Sequence, residues 1–486
     1  MSAALSRGVS IRPLVVCAAL LLAPVAHSAH EVLEKAAQAL GTAQIHSLEY
    51  EASGRYYQFT QAPAPDQPWP PFDVDGYVAT LDYARAAVHA KYHRVQVQEP
   101  GRARPHAEAV MDQYALNGMS WNLTPAPTAM PTNVAERNAE LWCSPQGFVS
   151  AALARRARVW ADKEGWWASF RIGAIRYEGY LSRDGDVRHV QTLIDSPVLG
   201  DTPIEFDYSD YRDFGGVRFP AHIRRKVAGL PWYDLAVSAV RINVESPFEV
   251  PPEIAANPVP SNRVVEVTEL APGVWNFGGG THNSVVIEQQ SGLVVVEAPL
   301  NEERSLALLD EIHKRFGKRS IRAVINTHAH FDHAGGLRTF VAEGIPVITQ
   351  ERNAAYYATA WQRPRTLNPD RLAKSLRQPV FESFTDKLLL PDTARAIEIH
   401  ALQGSGHNDA IAMVYLPAQK LLVEADVWTP TPPGAKPPAV VNPLWVNLHD
   451  NVARLGLDVR RVAPLHGTVQ DFATLRAAIG RQAGEN

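Results

Sequence analysis

A dense group of metal-binding side chains follows one buried strand in the second half of the chain. The run Ile321–Ile325 is apolar and β-branched, which predicts a strand. Four side chains of metal-binding types come directly after it: His328, His330, Asp332 and His333. Imidazole and carboxylate groups at this density suit a borderline divalent ion such as zinc. Because a sharp turn after a strand can aim these side chains in two directions, two neighbouring ions could share the turn.

H-x-H-x-D-H after a buried strand resembles the signature of the metallo-β-lactamase-fold hydrolase superfamily, in which three ligands from later strand ends complete the site. His407, Asp426 and His466 each follow an apolar, strand-like run. Together with H-x-H-x-D-H, they resemble the ligand set of the metallo-β-lactamase-fold hydrolase superfamily over roughly residues 264–486. All seven ligand positions of that family are filled. The chain departs from the family at one point, because the usual Gly-Asp is here Ala425-Asp.

The resemblance implies two zinc ions per chain, with iron or manganese as alternative metals. It assigns one ion to His328, His330 and His407, the second to Asp332, His333 and His466, and a bridging position to Asp426. Asp332 and Asp426 are then the catalytic candidates, and Asp332 would also orient the attacking water. Glu424 lies two residues before Asp426 on the same face of the strand, so it is an alternative bridge.

The implied reaction is hydrolysis of a small-molecule carbonyl compound: an ester, lactone, thioester or β-lactam. Two neighbouring cations lower the pKa of a shared water, so that hydroxide is available near neutral pH. A metal can then stabilise the oxyanion that develops on the substrate. No Cys occupies a ligand position, which argues against the β-lactamase branch that uses one.

Three other functions remain open at this level. The first is sulfur oxidation by a single iron at His328, His407 and Asp426. The second is a periplasmic binding protein, in which the first domain carries an apolar ligand and the hydrolase domain is vestigial. The third is a β-lactam hydrolase with an all-His ligand set.

Length and composition predict a two-domain globular protein. A chain of 486 residues is too long for one compact core. Its composition is ordinary, with 46% hydrophobic and 20% charged residues and a net charge of −4. No basic patch runs along the sequence, which argues against a nucleic-acid partner. The sequence does not indicate an oligomeric state.

Residues 1–29 have the parts of a secretory signal peptide. Two arginines without an acid precede the apolar run 14–25, and small residues follow, which predicts cleavage between Ala26 and Ala29. The apolar run is too short to span a bilayer, so we expect no stable membrane insertion. After cleavage Cys143 is the only cysteine, which excludes an internal disulfide. We therefore expect an exported, periplasmic protein.

The expected fold class is α+β. Alternating apolar and polar runs over residues 30–246, joined by Asp-Gly and Gly-Gly turns, predict an antiparallel β-rich domain. Helical patterns occur at 31–40 and 146–158. A proline-rich linker, 247–262, precedes residues 263–486, for which the resemblance implies an αββα sandwich.

Two features outside the ligand set are expected to lie near the site. His282 follows three consecutive glycines, in a hairpin that lies beside the metals in the similar family. It is therefore a candidate substrate-binding residue. The proline-rich insertion 429–443 comes directly after Asp426, and we expect it to overhang the site.

Overall fold

The structure is a computed structural model that describes residues 28–245, 248–431 and 440–481. Most of the predicted signal peptide and residues 432–439 of the predicted overhanging insertion lie outside these ranges. Ser28 caps the first helix, α1 (Ala29–Leu40), because its hydroxyl accepts a hydrogen bond from the Glu31 backbone N–H. Among the described residues, no helix is both long and apolar enough to cross a membrane.

Within the described ranges, the first domain is built on a thirteen-stranded antiparallel sheet, which confirms the predicted β-rich architecture. Its strands are β1 (Ser47–Tyr57), β2 (Pro71–Asp82), β3 (Ala87–Gln96), β4 (Glu108–Leu116), β5 (Met119–Asn122), β6 (Thr128–Ala129), β7 (Arg158–Ala161), β8 (Gly165–Ile172), β9 (Ile175–Ser182), β10 (Val187–Ser196), β11 (Gly200–Asp213), β12 (Arg218–Val227) and β13 (Leu230–Ile242). The spatial order is β6-β5-β4-β3-β2-β1-β13-β12-β11-β10-β9-β8-β7. Neighbouring strands are consecutive in the chain except for β1 and β13, whose pairing joins the two halves of the sheet and leaves β6 and β7 at its opposite edges.

Three helices pack on this sheet: α1 (Ala29–Leu40), α2 (Val134–Cys143) and α3 (Pro145–Ala154). The sequence predicted α1 and α3 but missed α2. The reason is that α2 buries charged residues, which breaks the apolar period: Arg137 and Glu140 are only 5% and 7% exposed. Glu140 accepts hydrogen bonds from three buried tyrosine hydroxyls and from Arg225. These bonds attach α2 to the sheet.

The predicted linker is partly structured. It contains a short helix, α4 (Pro252–Ala256). Phe248 and Ile254 are buried against Leu116 and Trp121 of the first domain. This part of the linker is therefore packed against the domain it leaves.

The second domain contains two facing sheets. The first, in spatial order, has β14 (Glu266–Ala271), β15 (Val274–Gly278), β16 (Ser284–Gln289), β17 (Gly292–Val296), β18 (Ile321–Ile325), β19 (Val347–Gln350) and β20 (Phe381–Phe384). The second has β21 (Lys387–Leu390), β22 (Ile397–Ala401), β23 (Ala412–Leu416), β24 (Leu421–Glu424), β25 (Arg461–Pro464) and β26 (Gln470–Asp471). Their inner faces share one apolar core, in which residues such as Val285 and Ile325 join Ile399 and Val423.

Helices cover the outer faces of both sheets. The second domain has α5 (Glu302–Phe316), α6 (Phe331–Ala334), α7 (Leu337–Ala342), α8 (Glu351–Ala360), α9 (Pro443–Arg454) and α10 (Phe472–Ala478). Residues of α5, α7 and α8 pack with the first sheet in a core that continues into the first domain, and α9 and α10 pack on the second sheet. The predicted αββα layering is therefore present, and it brings the ends of strands from both sheets to one edge.

Candidate metal centre

The ligands lie in loops that follow strand ends at this shared edge. His328 and His330 follow β18, and Asp332 and His333 lie in the short helix α6. The two glycines after α6 allow this turn to pack closely, since a Cβ at Gly335 would lie 1.9 Å from a backbone oxygen. The remaining predicted ligands follow strands of the second sheet: His407 after β22, Asp426 after β24 and His466 after β25.

The first cluster, here called the buried group, consists of His328, His330 and His407 with Asp426. The Nε2 of His407 lies 3.3 Å from His328 Nε2 and 3.0 Å from His330 Nδ1. Asp426 Oδ2 lies 3.0 Å from His407 Nε2 and 3.3 Å from His328 Nε2. The His328 side chain is fully buried and that of His330 is 2% exposed.

The second cluster, the open group, contains the predicted ligands Asp332, His333 and His466 together with His282. His466 Nε2 lies 3.1 Å from His333 Nε2, which is 3.7 Å from Asp332 Oδ2. His282 Nε2 lies 3.3 Å from Asp332 Oδ2. The structure thus places His282 among the donor atoms. The predicted role of His282 in substrate binding stays a prediction. Its position also allows it to act as a fourth metal ligand of the open group.

Asp426 lies between the two groups. Its Oδ2 faces the buried group and also lies 3.1 Å from His333 Nε2, while its Oδ1 lies 2.9 Å from His466 Nε2. The alternative bridge, Glu424, turns away: its Oε2 accepts hydrogen bonds from the backbone N–H groups of Val427 and Trp428. The geometry therefore favours Asp426 over Glu424 as the bridging carboxylate.

The donor atoms fit a pair of metal ions. For bonds of 2.0–2.1 Å, neighbouring ligand atoms of a tetrahedral zinc site are about 3.3 Å apart. The separations given above for the two groups run from 3.0 Å between His407 and His330 to 3.7 Å between His333 and Asp332, and His330 Nδ1 lies 4.0 Å from Asp426 Oδ2, so most are close to this value. The residues present therefore fit metal ions of zinc-like size and preference.

Each histidine of a metal site binds the ion through one ring nitrogen, and the N–H of its other ring nitrogen usually donates a hydrogen bond. Three histidines here have such a hydrogen bond on the ring nitrogen that points away from the cluster. His333 Nδ1 donates to Glu297 Oε2 at 3.1 Å, and His466 Nδ1 donates to the Thr281 carbonyl at 2.9 Å. His330 Nε2 donates to the carbonyl of Ala62 at 2.9 Å. In the neutral ring, each of these bonds keeps the proton on the outer nitrogen, so that the lone pair of the inner nitrogen is directed at the cluster.

The two groups differ electrostatically. Burial lowers the pKa of His328 to about 4, and the neighbouring His333 adds to this effect. Burial also lowers the pKa of His330. Burial opposes protonation of His333 as well, but the carboxylates of Asp426 and Asp332 outweigh it and raise its pKa well above the usual value. Neutral imidazole is the form that binds metal, and the lowered pKa values of His328 and His330 favour that form.

Glu297 is a central residue that the sequence analysis missed. It is fully buried and accepts hydrogen bonds from Asn326 Nδ2 at 2.9 Å and from Thr327 Oγ1 at 2.6 Å, besides the one from His333. A single acid directly after the apolar strand β17 is the pattern that could have indicated it. Both Glu297 and Asp426 have positive φ, at 75° and 62°, and such strained backbone clusters at functional sites.

Comparison with known proteins agrees with this geometry. Residues 277–438 match the family model of the metallo-beta-lactamase superfamily. This segment is a metallo-β-lactamase-superfamily domain. The family match ends before His466, so the structure alone brings that side chain to the site.

Similar proteins of this superfamily include two enzymes named as type 2 metallo-beta-lactamases. The one from Elizabethkingia meningoseptica is 28% identical over 175 residues, which are 35% of this chain and 61% of that protein. The one from Bacillus cereus is 25% identical over 222 residues, 43% of this chain and 80% of that protein. A solved metallo-beta-lactamase from Pontibacter korlensis has 20% identity and a TM-score of 0.36, covering 45% of this chain and 98% of that one. The first relative is thus matched over less than two thirds of its length.

Proposed function

We propose that the protein is an exported, zinc-dependent hydrolase that holds two ions per chain and acts on the carbonyl of an ester, lactone, thioester or β-lactam. The observation that carries this proposal is the position of Asp426 between two separate groups of donor atoms. His328, His330 and His407 would hold one ion, and Asp332, His333 and His466, with His282 nearby, would hold the other.

Bound zinc ions would supply a hydroxide nucleophile near neutral pH and a positive charge for the developing oxyanion. The chain's own residues supply the orientation. The Asp332 side chain is 34% exposed, so its carboxylate can accept a hydrogen bond from a water that reaches the site. Asp426 is 13% exposed and holds both groups together. We therefore assign catalytic roles to Asp332, which orients the attacking water, and to Asp426, which joins the two groups.

The complete open group speaks against a single iron. A mononuclear site at His328, His407 and Asp426 would leave His330 and the four donors of the open group without a function, although those four lie within ligand distance of one another. Elemental analysis distinguishes the two. We expect about two zinc ions per chain, whereas one iron together with oxygen uptake would favour sulfur oxidation.

One cavity inside the first domain is too small and too polar to hold a lipid. The cavity beside Glu140 and Arg225 has a volume of about 80 Å³ and is lined largely by tyrosines and charged residues. Ligand cavities commonly measure about 300–1,000 Å³ and are mostly apolar. A large apolar ligand would not fit in this space.

The decisive experiment is a substrate screen with and without a chelator. Purified protein is assayed with lactone, thioester, ester, phosphodiester and β-lactam compounds, and zinc is then removed and restored. We expect turnover of one carbonyl class that is lost on chelation and regained with zinc. Less than one metal ion per chain, or turnover that survives chelation, would refute the proposal.

Export rests on residues 1–29 and needs its own test. We expect the mature protein in the periplasmic fraction of a bacterial host, with a new N-terminus between Ala26 and Ala29. Mass spectrometry of the intact protein gives the cleavage point. Retention of residues 1–25 on the purified chain would contradict export by this route.

A further inference from the structure

A loop of the first domain reaches the candidate metal centre in the second. This loop, residues 58–70, joins β1 to β2 and is here called the domain loop. The rings of Phe59 and Trp69 pack edge-on against Phe331, with ring centroids 5.6 and 6.2 Å apart. Phe331 lies between the ligands His330 and Asp332 in the sequence. The loop therefore contacts the turn that carries four of the predicted ligands.

The domain loop binds the outer nitrogen of a ligand in the buried group. The Ala62 carbonyl accepts hydrogen bonds from His330 Nε2 at 2.9 Å and from Asn408 Nδ2 at 3.0 Å. The space left between the loop and His330 is about 10 Å³, at the lower limit for a single water. Because this carbonyl can only accept, it keeps the His330 proton on Nε2. The Nδ1 lone pair then faces His407 and Asp426.

The same loop binds a ligand of the open group. Gln61 Nε2 donates to Asp332 Oδ1 at 3.1 Å, while Oδ2 of that carboxylate faces His282 and His333. Asp332 is partly exposed, so its side chain would otherwise be free to rotate. The Gln61 amide fixes which oxygen is available to an ion.

Several contacts hold the two domains in this arrangement. The Pro63 carbonyl accepts a hydrogen bond from the Asp409 backbone N–H at 2.8 Å, and Arg102 pairs with the Asp409 carboxylate at 2.9 Å. The loop before His407 approaches the first domain so closely that a Cβ at Gly406 would lie 1.8 Å from the Ala103 carbonyl oxygen. The interface thus leaves no room for a side chain at this point.

We propose that Gln61 and Ala62 are positioning residues of the metal centre, so that the ligand set of the second domain is complete only with the first domain docked on it. This inference rests on the proposed metal-dependent function. On this proposal, the first domain fixes the ring orientation of His330 and the carboxylate orientation of Asp332. Loss of a hydrogen-bonding partner of a metal ligand typically weakens metal affinity about 10- to 100-fold.

The proposed effect of Gln61 on Asp332 is tested with three variants of the full chain. Gln61→Ala removes the side chain, Gln61→Met keeps its length but cannot donate, and Gln67→Ala changes an exposed glutamine of the same loop. Zinc affinity is measured for both ions by competition with graded chelators. We expect both Gln61 variants to bind the ion of the open group about 10- to 100-fold less tightly than the wild type does. The affinity of Gln67→Ala should equal that of the wild type. Wild-type zinc affinity in Gln61→Met would overturn the role proposed for Gln61, because its hydrogen bond to Asp332 would then have no effect on metal binding.

The proposed effect of Ala62 on His330 is tested on metal-free protein by nitrogen–proton correlation NMR. The signals of the His330 ring are identified by their absence from the spectrum of His330→Ala. We expect a proton on Nε2 that exchanges slowly with water, since the Ala62 carbonyl and the packed loop cover it. A proton on Nδ1, or rapid exchange of the Nε2 proton, would overturn the role proposed for Ala62. These outcomes differ from failure of the proposed function, which would appear as a wild-type chain that binds less than one zinc ion.

Discussion

The buried and open groups use the same donor chemistry in different surroundings. In the buried group, the side chains of His328, His330 and His407 are 0%, 2% and 12% exposed. In the open group, Asp332 and His466 are 34% and 23% exposed. The domain loop contacts both groups, through His330 and through Asp332. In the open group His333 and His282 are 0% and 7% exposed, so that only Asp332 and His466 face solvent. On the proposed function, we expect the buried group to hold an ion firmly, and water and substrate to reach the site past Asp332 and His466 of the open group.

Removing a ligand of the buried group should have the largest effect. For His330→Ala we expect loss of one zinc ion and a fall in kcat/KM of at least about 100-fold, more than the loss of a ligand's hydrogen-bonding partner usually causes. The fold should persist, as checked by circular dichroism, because the cores of both domains are untouched. His313→Ala, at an exposed position on α5, is the control. Retention of a tenth of the activity would contradict a direct ligand role for His330.

A change in the open group should separate the two ions. Asp332→Asn keeps the size of the side chain but removes its negative charge, so we expect the second ion to be lost while the buried group still binds one. Turnover should fall about 100-fold. Metal content after dialysis measures the stoichiometry, and Asp310→Asn on the surface of α5 is the control. If two ions remained tightly bound, Asp332 would not be a ligand.

Glu297→Gln tests the support beneath both groups. The carboxylate accepts the proton of His333 directly, whereas it reaches His328 only through Thr327, whose Oγ1 lies 3.0 Å from His328 Nδ1. We expect zinc affinity to fall about 10- to 100-fold in the open group and less in the buried group. Chelator competition measures both, with Glu382→Gln on an exposed part of β20 as the control. An equal loss of zinc affinity in both groups would contradict the expectation that Glu297 supports the open group more than the buried group.

His282→Ala should have the smallest effect and decides between two roles. If His282 is a fourth donor, zinc affinity of the open group should fall about 10-fold, which is about 1.4 kcal/mol. If it binds only substrate, KM should rise while zinc affinity stays at the wild-type value. A variant unchanged in both measurements would leave His282 with neither role.

Much of the site followed from local sequence. H-x-H-x-D-H after an apolar strand predicted four donors, and the three later ligands stand after strand-like runs, where α/β folds carry functional side chains. The missed residues have no such local pattern. Helix α2 was missed because its buried face is charged, and Gln61 because it lies in a proline-rich loop that looks like an ordinary connection. Its contact with Asp332 joins positions 271 residues apart.

The sequence by itself determined which side chains are available to bind metal and on which strand ends they stand, because strand periodicity and ligand chemistry are local properties. Only the tertiary structure decided that Asp426 rather than Glu424 lies between the two groups, that His282 joins one of them, and that Ala62 of the first domain faces His330. These outcomes depend on how two sheets and two domains pack. Packing is set by the sum of many contacts between distant residues, which no single stretch of the chain contains.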